Sequence, residues 1–326
     1  MKILVLGAGA REHAIIKALI RTGTAAVNIT CAPGNGGIAQ EVNTVPLNQN
    51  DPDAVTSWAI ENQTDLVIIG PEAPLVAGVS DALRTAGVPV FGPSKAAAAL
   101  EGSKAFAKEV MAAADVPTGM ARKCVDLDEV ESALDAFGAP FVVKADGLAA
   151  GKGVIVTSHK TAALDHAKTF LDQGMQILVE EFLDGEEVSL FFLSDGETVL
   201  PLSPAQDFKR AYDDDEGPNT GGMGAYSPLP WLPDGFVEEV QSRVALPTVR
   251  ELARLGTPFV GLLYCGLIVT KKGIRVIEFN ARFGDPETQV VLRRLVTPLA
   301  GLLHRGQSVG RGLQRFASGG RPYLSV

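Results

Sequence analysis

Residues 144–153, with the sequence KADGLAAGKG, form the most glycine-rich loop of the chain and lie between two short apolar runs, Phe141–Ala145 and Val154–Val156. Glycine allows backbone N–H groups to come close to phosphate oxygens. The loop is not a P-loop, because Gly153 follows Lys152 where that motif has serine or threonine, and a strand follows where it has a helix. The sequence therefore predicts a flap over nucleotide phosphates. The alternative is a glycine-rich hairpin that binds no ligand.

Upstream of this loop, short runs rich in Val, Ile and Leu alternate with segments of helical period. Strands are predicted at Lys2–Leu6, Val27–Cys31 and Asp65–Ile69, and helices at Glu12–Arg21, Pro52–Asn62, Val76–Ala86 and Lys104–Ala113. Strands that are apolar throughout and joined by helical crossovers indicate a parallel sheet covered on both faces. Each strand leads into a loop of small or polar residues, so we expect three loops to border one crevice. The first loop lacks the last glycine of a dinucleotide fingerprint, since Glu12 stands in its place, and it either holds an anionic group or is only a tight turn.

Downstream of the flap, a helix at Ala162–Leu171 and a strand at Ile177–Phe182 complete a small unit. Further predicted elements are strands at Val188–Leu193 and Thr198–Leu202, a polar loop from Gln206 to Gly224, a helix at Phe236–Leu255, and strands at Phe259–Thr270 and Ile274–Phe279. The tail beyond about Ala300 differs in kind: Arg305 to Val326 is rich in Gly, Ser and Arg and has no convincing period, so no packed element is predicted there.

The composition excludes several classes of protein. A length of 326 residues suggests two or three domains, and 46% hydrophobic residues exclude disorder as the main state. The 29 Lys plus Arg against 38 Asp plus Glu give a net charge of -9, which repels nucleic acid and anionic membranes, so local groups must hold any phosphate. The longest uncharged apolar stretch, Thr257–Thr270, is shorter than the ~20 residues that cross a bilayer. The cysteines number 3 and lack CxxC spacing, which indicates neither a disulfide framework nor a zinc site and favours a reducing cytoplasm.

A second segment that carries chemistry is EFNARFGDPET at residues 278–288. Glu278 and Asn280 alternate along one predicted strand, so both side chains lie on the same face. Two oxygen ligands on one face suit Mg²⁺, which takes one or two carboxylates together with phosphate oxygens and water. The alternative is an exposed strand face, but the charged residues around Gly284 and Pro286 directly after the strand favour a site.

Eight motifs, taken in chain order, resemble the phosphoribosylamine–glycine ligases, also called glycinamide ribonucleotide synthetases, of the ATP-grasp superfamily. They are GAGAREHA from residue 7, APGNGG from 32, GPEAPLVAG from 70, EGSKAFAK from 101, KADGLAAGKGV from 144, EEFLDGEE from 180, GPNTGGMGAYSP from 217 and EFNARFGDPETQ from 278. The resemblance runs from residue 1 to about residue 300. It implies an α/β chain in which an amino-terminal parallel-sheet domain (pre-ATP-grasp, Rossmann-like) is followed by an α+β ATP-grasp fold.

The resemblance implies a substrate-binding domain at residues 1–100, an ATP-grasp domain with a small flap subdomain at 101–190, the ATP-grasp base with the metal site at 191–300, and an unpatterned tail at 301–326, with the family's carboxyl-terminal domain absent. It also implies a cytoplasmic, monomeric enzyme of de novo purine synthesis that uses ATP with Mg²⁺ or Mn²⁺ and binds neither nucleic acid nor membrane. Its partners would be the small-molecule substrates glycine and 5-phosphoribosylamine. With ATP they would give glycinamide ribonucleotide, ADP and phosphate by way of glycyl phosphate.

Carried over by position, the functional residues of the family fall into four groups. Lys104 and Lys144 would hold the ATP phosphates, with Lys144 also catalytic, under a flap of Gly151, Lys152 and Gly153. Glu180, Glu181 and Leu183 would form the adenine edge, and Glu187 would contact the ribose. Glu278 and Asn280 would bind the metal, and Arg282 would stabilise the transferring phosphoryl group or the acyl phosphate. The crevice for phosphoribosylamine and glycine would include Gly9, Arg11, Glu12, Asn35, Glu72, Asn219, Thr220, Gly221, Gly222 and Asp285.

The chain departs from the usual pattern of that family at several positions. Ala10 stands where the family has Gly, Phe208 where it has His, and Arg293 where it commonly has Pro, and the loop at residues 172–176 is shorter. Together with the absent domain, these departures leave two alternatives: a non-catalytic ATP-binding remnant, or another ATP-grasp carboxylate–amine ligase. The motifs GPNTGGMGAYSP and EFNARFGDPETQ favour the glycine enzyme over the second of these.

Overall fold

Five parallel strands form the sheet of the amino-terminal domain. A computed structural model describes residues 1–147, 153–213, 216–307, 310 and 313 of the chain. The strands are β1 Ile3–Gly7, β2 Ile29–Pro33, β3 Asn43–Thr44, β4 Leu66–Ile69 and β5 Val90–Phe91, in the order β3-β2-β1-β4-β5. Leu4 and Leu6 of β1 pack into one core while Ile3 and Val5 pack into another, so both faces of the sheet are covered. The predicted parallel sheet is confirmed.

The helices around this sheet follow the predicted crossovers, with one difference. They are α1 Ala10–Arg21, α2 Pro52–Glu61, α3 Glu72–Ala77, α4 Val79–Thr85 and α5 Lys95–Gly102. The single helix predicted at residues 76–86 is wrong, because Gly78 adopts a φ of 91° and ends α3 before α4 begins. A left-handed glycine is a common way to end a helix.

A four-stranded antiparallel sheet carries the flap. After α6 Lys104–Ala113, the chain forms β6 Ala121–Cys124, α7 Leu127–Phe137, β7 Phe141–Ala145, β8 Val154–Thr157, α8 Lys160–Leu171 and β9 Ile177–Glu180. The strand order is β6-β9-β7-β8, and α7 and α8 cover the sheet with a separate core. The flap connects β7 to β8, and its residues 148–152 lie outside the described chain.

A second antiparallel sheet forms the floor of the carboxyl-terminal half. The chain continues with β10 Gly185–Asp195 and β11 Val199–Pro201, the hairpin strands β12 Gln206–Tyr212 and β13 Glu216–Tyr226, and later β14 Val260–Thr270 and β15 Gly273–Asn280. The floor has the order β11-β10-β14-β15. β10 continues through residue 190, where the sequence predicts a domain boundary, and that boundary stays a prediction.

The polar loop predicted from Gln206 to Gly224 is wrong, because these residues belong to the β12–β13 hairpin. Gln206 pairs with Tyr226 and Phe208 pairs with Gly224, with register shifts further along the hairpin. Glycine and polar residues have low strand propensity, so the sequence of β13 does not carry the period of a strand. The pairing with β12 decides the conformation here.

The last described helices connect the two halves of the molecule. α9 Phe236–Val240 and α10 Leu246–Arg254 are joined by a π-helical turn, α11 Glu287–Arg294 packs on α1, and α12 Leu299–Gly306 packs on β10 and β5. The prediction that no packed element forms from Arg305 onward is therefore wrong where α12 continues to Gly306 and where Leu313 is buried. Leu302, Leu303 and Leu313 are buried, and the Leu313 N–H donates to Asp195 Oδ2 at 3.0 Å. Residues 314–326 of the predicted tail lie outside the described chain.

The element α12 was missed because a helix of two turns carries too little periodic signal to be recognised. Among the helices that the structure describes, none has both the length and the apolar character needed to cross a membrane.

Candidate active site

A cleft of about 340 Å³ lies between the sheet that carries the flap and strand β15, with α5 and α6 along one side. Small-molecule sites commonly have volumes of about 300–1,000 Å³. The charged and polar residues that line the cleft are Glu72, Glu101, Lys104, Lys108, Lys144, Glu180, Glu278, Asn280 and Arg282, with Gly147 and Gly153 at the ends of the flap. Residues predicted to hold phosphate and metal therefore share one site. Gly151 and Lys152 of the predicted flap lie outside the described chain.

Two lysines in this cleft keep an unused N–H donor. Lys144 Nζ donates to Glu180 Oε2 at 3.1 Å and to the Ile277 carbonyl at 3.4 Å. Lys104 Nζ donates to the carbonyls of Ala145 at 3.0 Å and Gly147 at 3.1 Å. Because an ammonium group has three N–H donors, each lysine has one that no described residue accepts. Burial lowers the pKa of Lys104, although the carboxylate of Glu278 opposes this effect.

Lys108 also lies in the cleft, but it was not predicted. Its Nζ donates to Thr118 Oγ1 at 2.9 Å and to the Gly119 carbonyl at 3.0 Å, and it pairs with Glu180 Oε2 at 3.2 Å. All three donors are therefore used within the protein. Burial lowers the pKa of Lys108, and the charge of Glu180 opposes this effect. The available signal in the sequence was its position four residues after Lys104, on the same face of α6.

The predicted adenine edge lies at the end of β9. The Glu180 carboxylate is held by Lys144 and Lys108, a contact that the sequence did not predict. Glu181 bonds to Met120 through its backbone N–H and its Oε1. Leu183 packs beside Gly119, since a β-carbon placed on Gly119 would lie 3.5 Å from Leu183 Cδ1. The roles of these residues at adenine, and of Glu187 at the ribose, stay predictions.

Glu278 and Asn280 lie two residues apart on β15, opposite Gly266 and Tyr264 of β14. Burial favours the neutral form of Glu278, but Lys209, Lys144, Lys104 and Arg282 together hold the pKa of its carboxyl below the usual range. The group is therefore ionised at neutral pH. No group of three or more His, Cys, Asp or Glu in the described part of the chain could hold a metal alone. One carboxylate and one amide oxygen beside phosphate-binding lysines fit Mg²⁺, which takes its remaining ligands from phosphates and water.

Arg282 lies at the turn after β15. Its Nη2 is 3.0 Å from Glu101 Oε1 and 3.5 Å from Asn280 Oδ1, while its Nε is 3.5 Å from Glu72 Oε2. The Nε atom is buried and has no hydrogen-bond partner in the described structure. Burial opposes its charge, but Glu101 and Glu72 more than offset this and raise the pKa of Arg282. The structure therefore keeps a positive charge beside the predicted metal ligands.

The hairpin carries a cation and a carboxylate that the sequence did not assign, and the charge of the cation, Lys209, lowers the pKa of Glu278 in the cleft. Lys209 Nζ lies 3.0 Å from Glu187 Oε2 and 3.7 Å from Asp207 Oδ2. Burial raises the pKa of Asp207 to about 6, with Lys209 opposing the shift and the carboxylate of Glu287 adding to it. Both residues were missed because this segment was predicted to be a loop. Phe208, between them, is exposed and stacks on Tyr226 at a ring distance of 6.0 Å.

Glu12, which the sequence placed in the crevice, is buried at the turn before α1. It is 1% exposed, and its carboxylate accepts from the Gly9 N–H and pairs with Arg11 Nε, each at 2.7 Å. A β-carbon on Gly7 or Gly70 would overlap the Glu12 side chain. The glycines enclose this carboxylate and it holds the turn before α1, while its contact with substrate stays a prediction.

Other residues of the predicted crevice converge from both halves of the chain. Arg11 Nη1 donates to the Phe283 carbonyl at 3.1 Å, and a β-carbon on Gly9 would lie 4.0 Å from Asp285 Oδ2. A β-carbon on Gly222 would lie 2.5 Å from Pro286 Cδ, so the hairpin meets the same turn.

The remaining predicted crevice residues take different positions. Asn35 bonds to the Ala8 carbonyl and to the N–H groups of residues 37 and 38, so it shapes its own loop. Glu72 lines the cleft and lies 3.5 Å from Arg282 Nε through its Oε2 atom. Thr220 Oγ1 donates to the Lys209 carbonyl, and Gly221 lies beside it in β13. The backbone of Asn219 belongs to β13, but its side chain lies outside the description.

Comparison with known protein families divides the chain into two matched regions. The family described as phosphoribosylglycinamide synthetase, N domain, matches residues 1–101, and phosphoribosylglycinamide synthetase, ATP-grasp (A) domain, matches residues 102–288. The chain is 69% identical over 304 residues to a phosphoribosylamine–glycine ligase of Leifsonia xyli subsp. xyli, and 61% identical over 303 residues to one of Streptomyces coelicolor. Each comparison covers 93% of this chain and 72% of the relative.

Solved structures share the architecture. The crystal structure of a phosphoribosylamine–glycine ligase from Thermotoga maritima has a TM-score of 0.81 and 28% identity, covering 94% of this chain and 75% of that one. An ADP complex of N5-carboxyaminoimidazole ribonucleotide synthetase has a TM-score of 0.66 at 17% identity, covering 87% of this chain and 71% of that one, which is a likeness of fold. The predicted α/β chain with an ATP-grasp fold is confirmed.

Proposed function

The chain belongs to the phosphoribosylamine–glycine ligase family, and from this premise we propose how its residues divide the reaction. It is an ATP-dependent ligase of purine biosynthesis that joins glycine to phosphoribosylamine. In the proposed course, a carboxylate oxygen of glycine attacks the γ-phosphorus of ATP and ADP leaves. The amine of 5-phosphoribosylamine then attacks the carbonyl carbon of glycyl phosphate. Phosphate leaves and the nitrogen loses a proton, which gives glycinamide ribonucleotide.

The observation that carries this proposal is the convergence of Lys104, Lys144, Glu278 and Arg282 on one cleft. Lys104 and Lys144 would donate their unused N–H groups to ATP phosphates. Arg282 would stabilise the charge that develops on the transferring phosphoryl group. The flap of Gly151, Lys152 and Gly153 would exclude water from the acyl phosphate, which hydrolyses readily.

Glu278 and Asn280 are the residues that would hold Mg²⁺ or Mn²⁺. The support is the donor set itself: an ionised carboxylate and an amide oxygen two residues apart on one strand, within a ring of cations that attracts phosphates. When bound there, the metal would neutralise charge on the phosphate oxygens. The lysines and Arg282 keep the phosphate chain aligned for in-line attack.

We propose further that Glu181, Leu183 and the carboxyl-terminal end of β9 border the adenine, and that Glu187 binds the ribose. Phosphoribosylamine and glycine are bordered by Gly9, Arg11, Gly222 and Asp285. The meeting of these last four residues from both halves of the chain supports the proposal. We also propose that the protein acts in the cytoplasm as a monomer. The 3 cysteines without CxxC spacing support a reducing compartment, and the net charge of -9 disfavours nucleic acid and anionic membranes as partners.

A coupled assay of ADP release, with glycine and freshly prepared phosphoribosylamine, tests the proposed function. We expect ADP release that requires both substrates and a divalent cation. Omitting glycine, or replacing it with alanine, is the matched control. Binding of ATP without ADP release that depends on glycine would contradict the proposal.

A further inference from the structure

Glu101 is a buried carboxylate at the end of α5 with no role in the account above. Its side chain is 7% exposed, and both of its oxygens are engaged by the turn after β15. Oε2 accepts from the Ala281 N–H at 2.7 Å, and Oε1 pairs with Arg282 Nη2 at 3.0 Å. The contact joins residues 180 positions apart in the chain. It also joins the last residue matched by the N-domain family to the turn that follows the metal ligands.

The other contacts of Arg282 are weaker than the one with Glu101. Glu72 Oε2 lies 3.5 Å from Nε, which has no hydrogen bond, and the Asn280 Oδ1 and Phe283 carbonyl contacts measure 3.5 and 3.3 Å. Hydrogen bonds weaken quickly beyond about 3.2 Å. Glu101 therefore makes the shortest contact that fixes the direction of the guanidinium, and its second oxygen fixes the backbone beside it.

A buried ion pair such as Glu101–Arg282 is stable only when both charges have partners. Burial raises the pKa of Glu101, and the Arg282 charge and the Ala281 N–H oppose the shift. The residues on neighbouring elements that face Glu101 include Glu72 and Glu278, whose negative charges would repel it if Arg282 moved away. The arrangement therefore has one favourable position for the guanidinium.

We propose that Glu101 is a positioning residue for phosphoryl transfer, which holds Arg282 and the turn after Asn280 in register with the amino-terminal domain. This inference rests on the proposed function. It concerns a residue to which that function assigns no contact with ATP, metal or substrate. Arg282 would then meet the phosphoryl group at a position set by the domain that borders the amine substrate. The coupling would keep the acyl phosphate aligned with the attacking nitrogen.

The test is Glu101→Gln, with Glu109→Gln on the exposed surface of α6 as the matched control. The glutamine carbonyl can still accept from the Ala281 N–H, but its amide group faces Arg282 as a donor. We expect kcat to fall roughly 100-fold, since misplacement of a group by about 1 Å has effects of that size. The KM for ATP should change less than about twofold, because Lys104 and Lys144 are untouched. A structural role alone predicts a lower Tm with kcat of the folded enzyme unchanged, and that result would overturn the proposal.

A double-mutant cycle with Arg282→Ala separates positioning from an independent effect. If Glu101 acts through Arg282, adding Glu101→Gln to Arg282→Ala should lower kcat less than about twofold further. Losses that multiply would overturn the proposal.

A binding measurement distinguishes failure of this inference from failure of the proposed function. The full chain is titrated calorimetrically with Mg²⁺ and ADP in the presence of glycine, with and without orthovanadate as a mimic of the transferring phosphoryl group. We expect vanadate to tighten binding of ADP in the wild type, and Glu101→Gln to reduce that gain about tenfold with no change in its absence. If the wild type releases no glycine-dependent ADP, the proposed function fails while this titration still tests Glu101. Equal gains in both proteins, or no gain in the wild type, would overturn the positioning role.

Discussion

Among single residues, the three lysines of the cleft differ in how many N–H donors remain available to a ligand. Lys108 uses all three N–H groups on Thr118, Gly119 and Glu180, whereas Lys104 and Lys144 each use two. Lys108 is thus a structural cation, and the other two can bind a ligand. Residue type and helical spacing cannot make this distinction, because Lys104 and Lys108 lie on the same face of α6.

Replacing Lys144 or Glu278 by alanine should abolish most ligation. We expect Lys144→Ala and Glu278→Ala each to reduce kcat/KM by about two orders of magnitude or more, because each removes a charge that meets the phosphates or their metal. Steady-state ADP release measures the effect, with exposed Lys123→Ala as the control. Circular dichroism should show a native fold in both variants. Turnover near that of the control in either variant would refute its assigned role.

Asp207 should make the stability of the protein depend on pH. Its pKa rises from 3.8 in the unfolded chain to about 6 in the fold, so the folded state holds its proton more tightly. The contribution of Asp207 therefore lowers the free energy of unfolding as pH rises from about 4 to 6, by up to about 3 kcal/mol. Asp207→Asn removes this effect, and its free energy of unfolding relative to wild type should increase over that range and level off above it. Urea unfolding at pH 4.5, 5.5 and 7.5 measures the difference, and a difference that does not vary with pH would contradict the assignment.

At the scale of elements, the β12–β13 hairpin makes contacts that no strand pattern in the sequence revealed. It carries Asp207 and Lys209 toward Glu187, and it approaches the turn at Asp285 and Pro286 so closely that Gly222 has no room for a side chain. Glycine is therefore required at position 222, whereas Gly221 and Gly224 of the same strand have nothing within 4 Å of an added β-carbon.

Gly222→Ala should separate the hairpin from that turn. Gly222 has a φ of 115°, and its new β-carbon would lie 2.5 Å from Pro286 Cδ. We expect a loss of about 2 kcal/mol or more in stability and a raised KM for glycine or phosphoribosylamine. Gly235→Ala is the control, because Gly235 has a φ of 81° but no atom within 4 Å of the added carbon. The difference between the two variants in thermal unfolding and steady-state kinetics measures the effect of the contact with Pro286. Equal losses of stability and equal KM values in both variants would contradict the prediction.

At the scale of the whole molecule, α1 and α11 join the amino-terminal sheet to the second domain. Arg21 Nη2 donates to the carbonyls of Leu292 at 2.7 Å and Leu295 at 2.8 Å, at the end of α11. Charged donors on helix-terminal carbonyls stabilise that end of the helix. This contact helps to hold the two halves of the crevice in one arrangement.

Arg21→Ala should weaken the contact between α1 and the end of α11. We expect a loss of about 2 kcal/mol in stability, because two buried carbonyls lose a charged donor, and a larger increase in the KM for phosphoribosylamine than for ATP. Denaturant unfolding and substrate titrations measure both effects, with exposed Arg250→Ala as the control. An equal increase in both KM values would contradict a specific effect on the crevice.

The sequence by itself determined the parallel sheet, the ATP-grasp motifs and the types of residue at the phosphate and metal site. The sheet follows from local period, because a buried strand must be apolar on both faces, and the flap follows from its glycines and lysines. The ATP-grasp motifs were identified by their resemblance to a family. Only the tertiary structure decided that Glu12 is enclosed by glycines, that Lys108 has no donor to spare, that residues 206–226 form a hairpin, and that Glu101 holds Arg282. Each of these depends on atoms that are far apart in the chain and meet only when the domains pack, so no local pattern contains them.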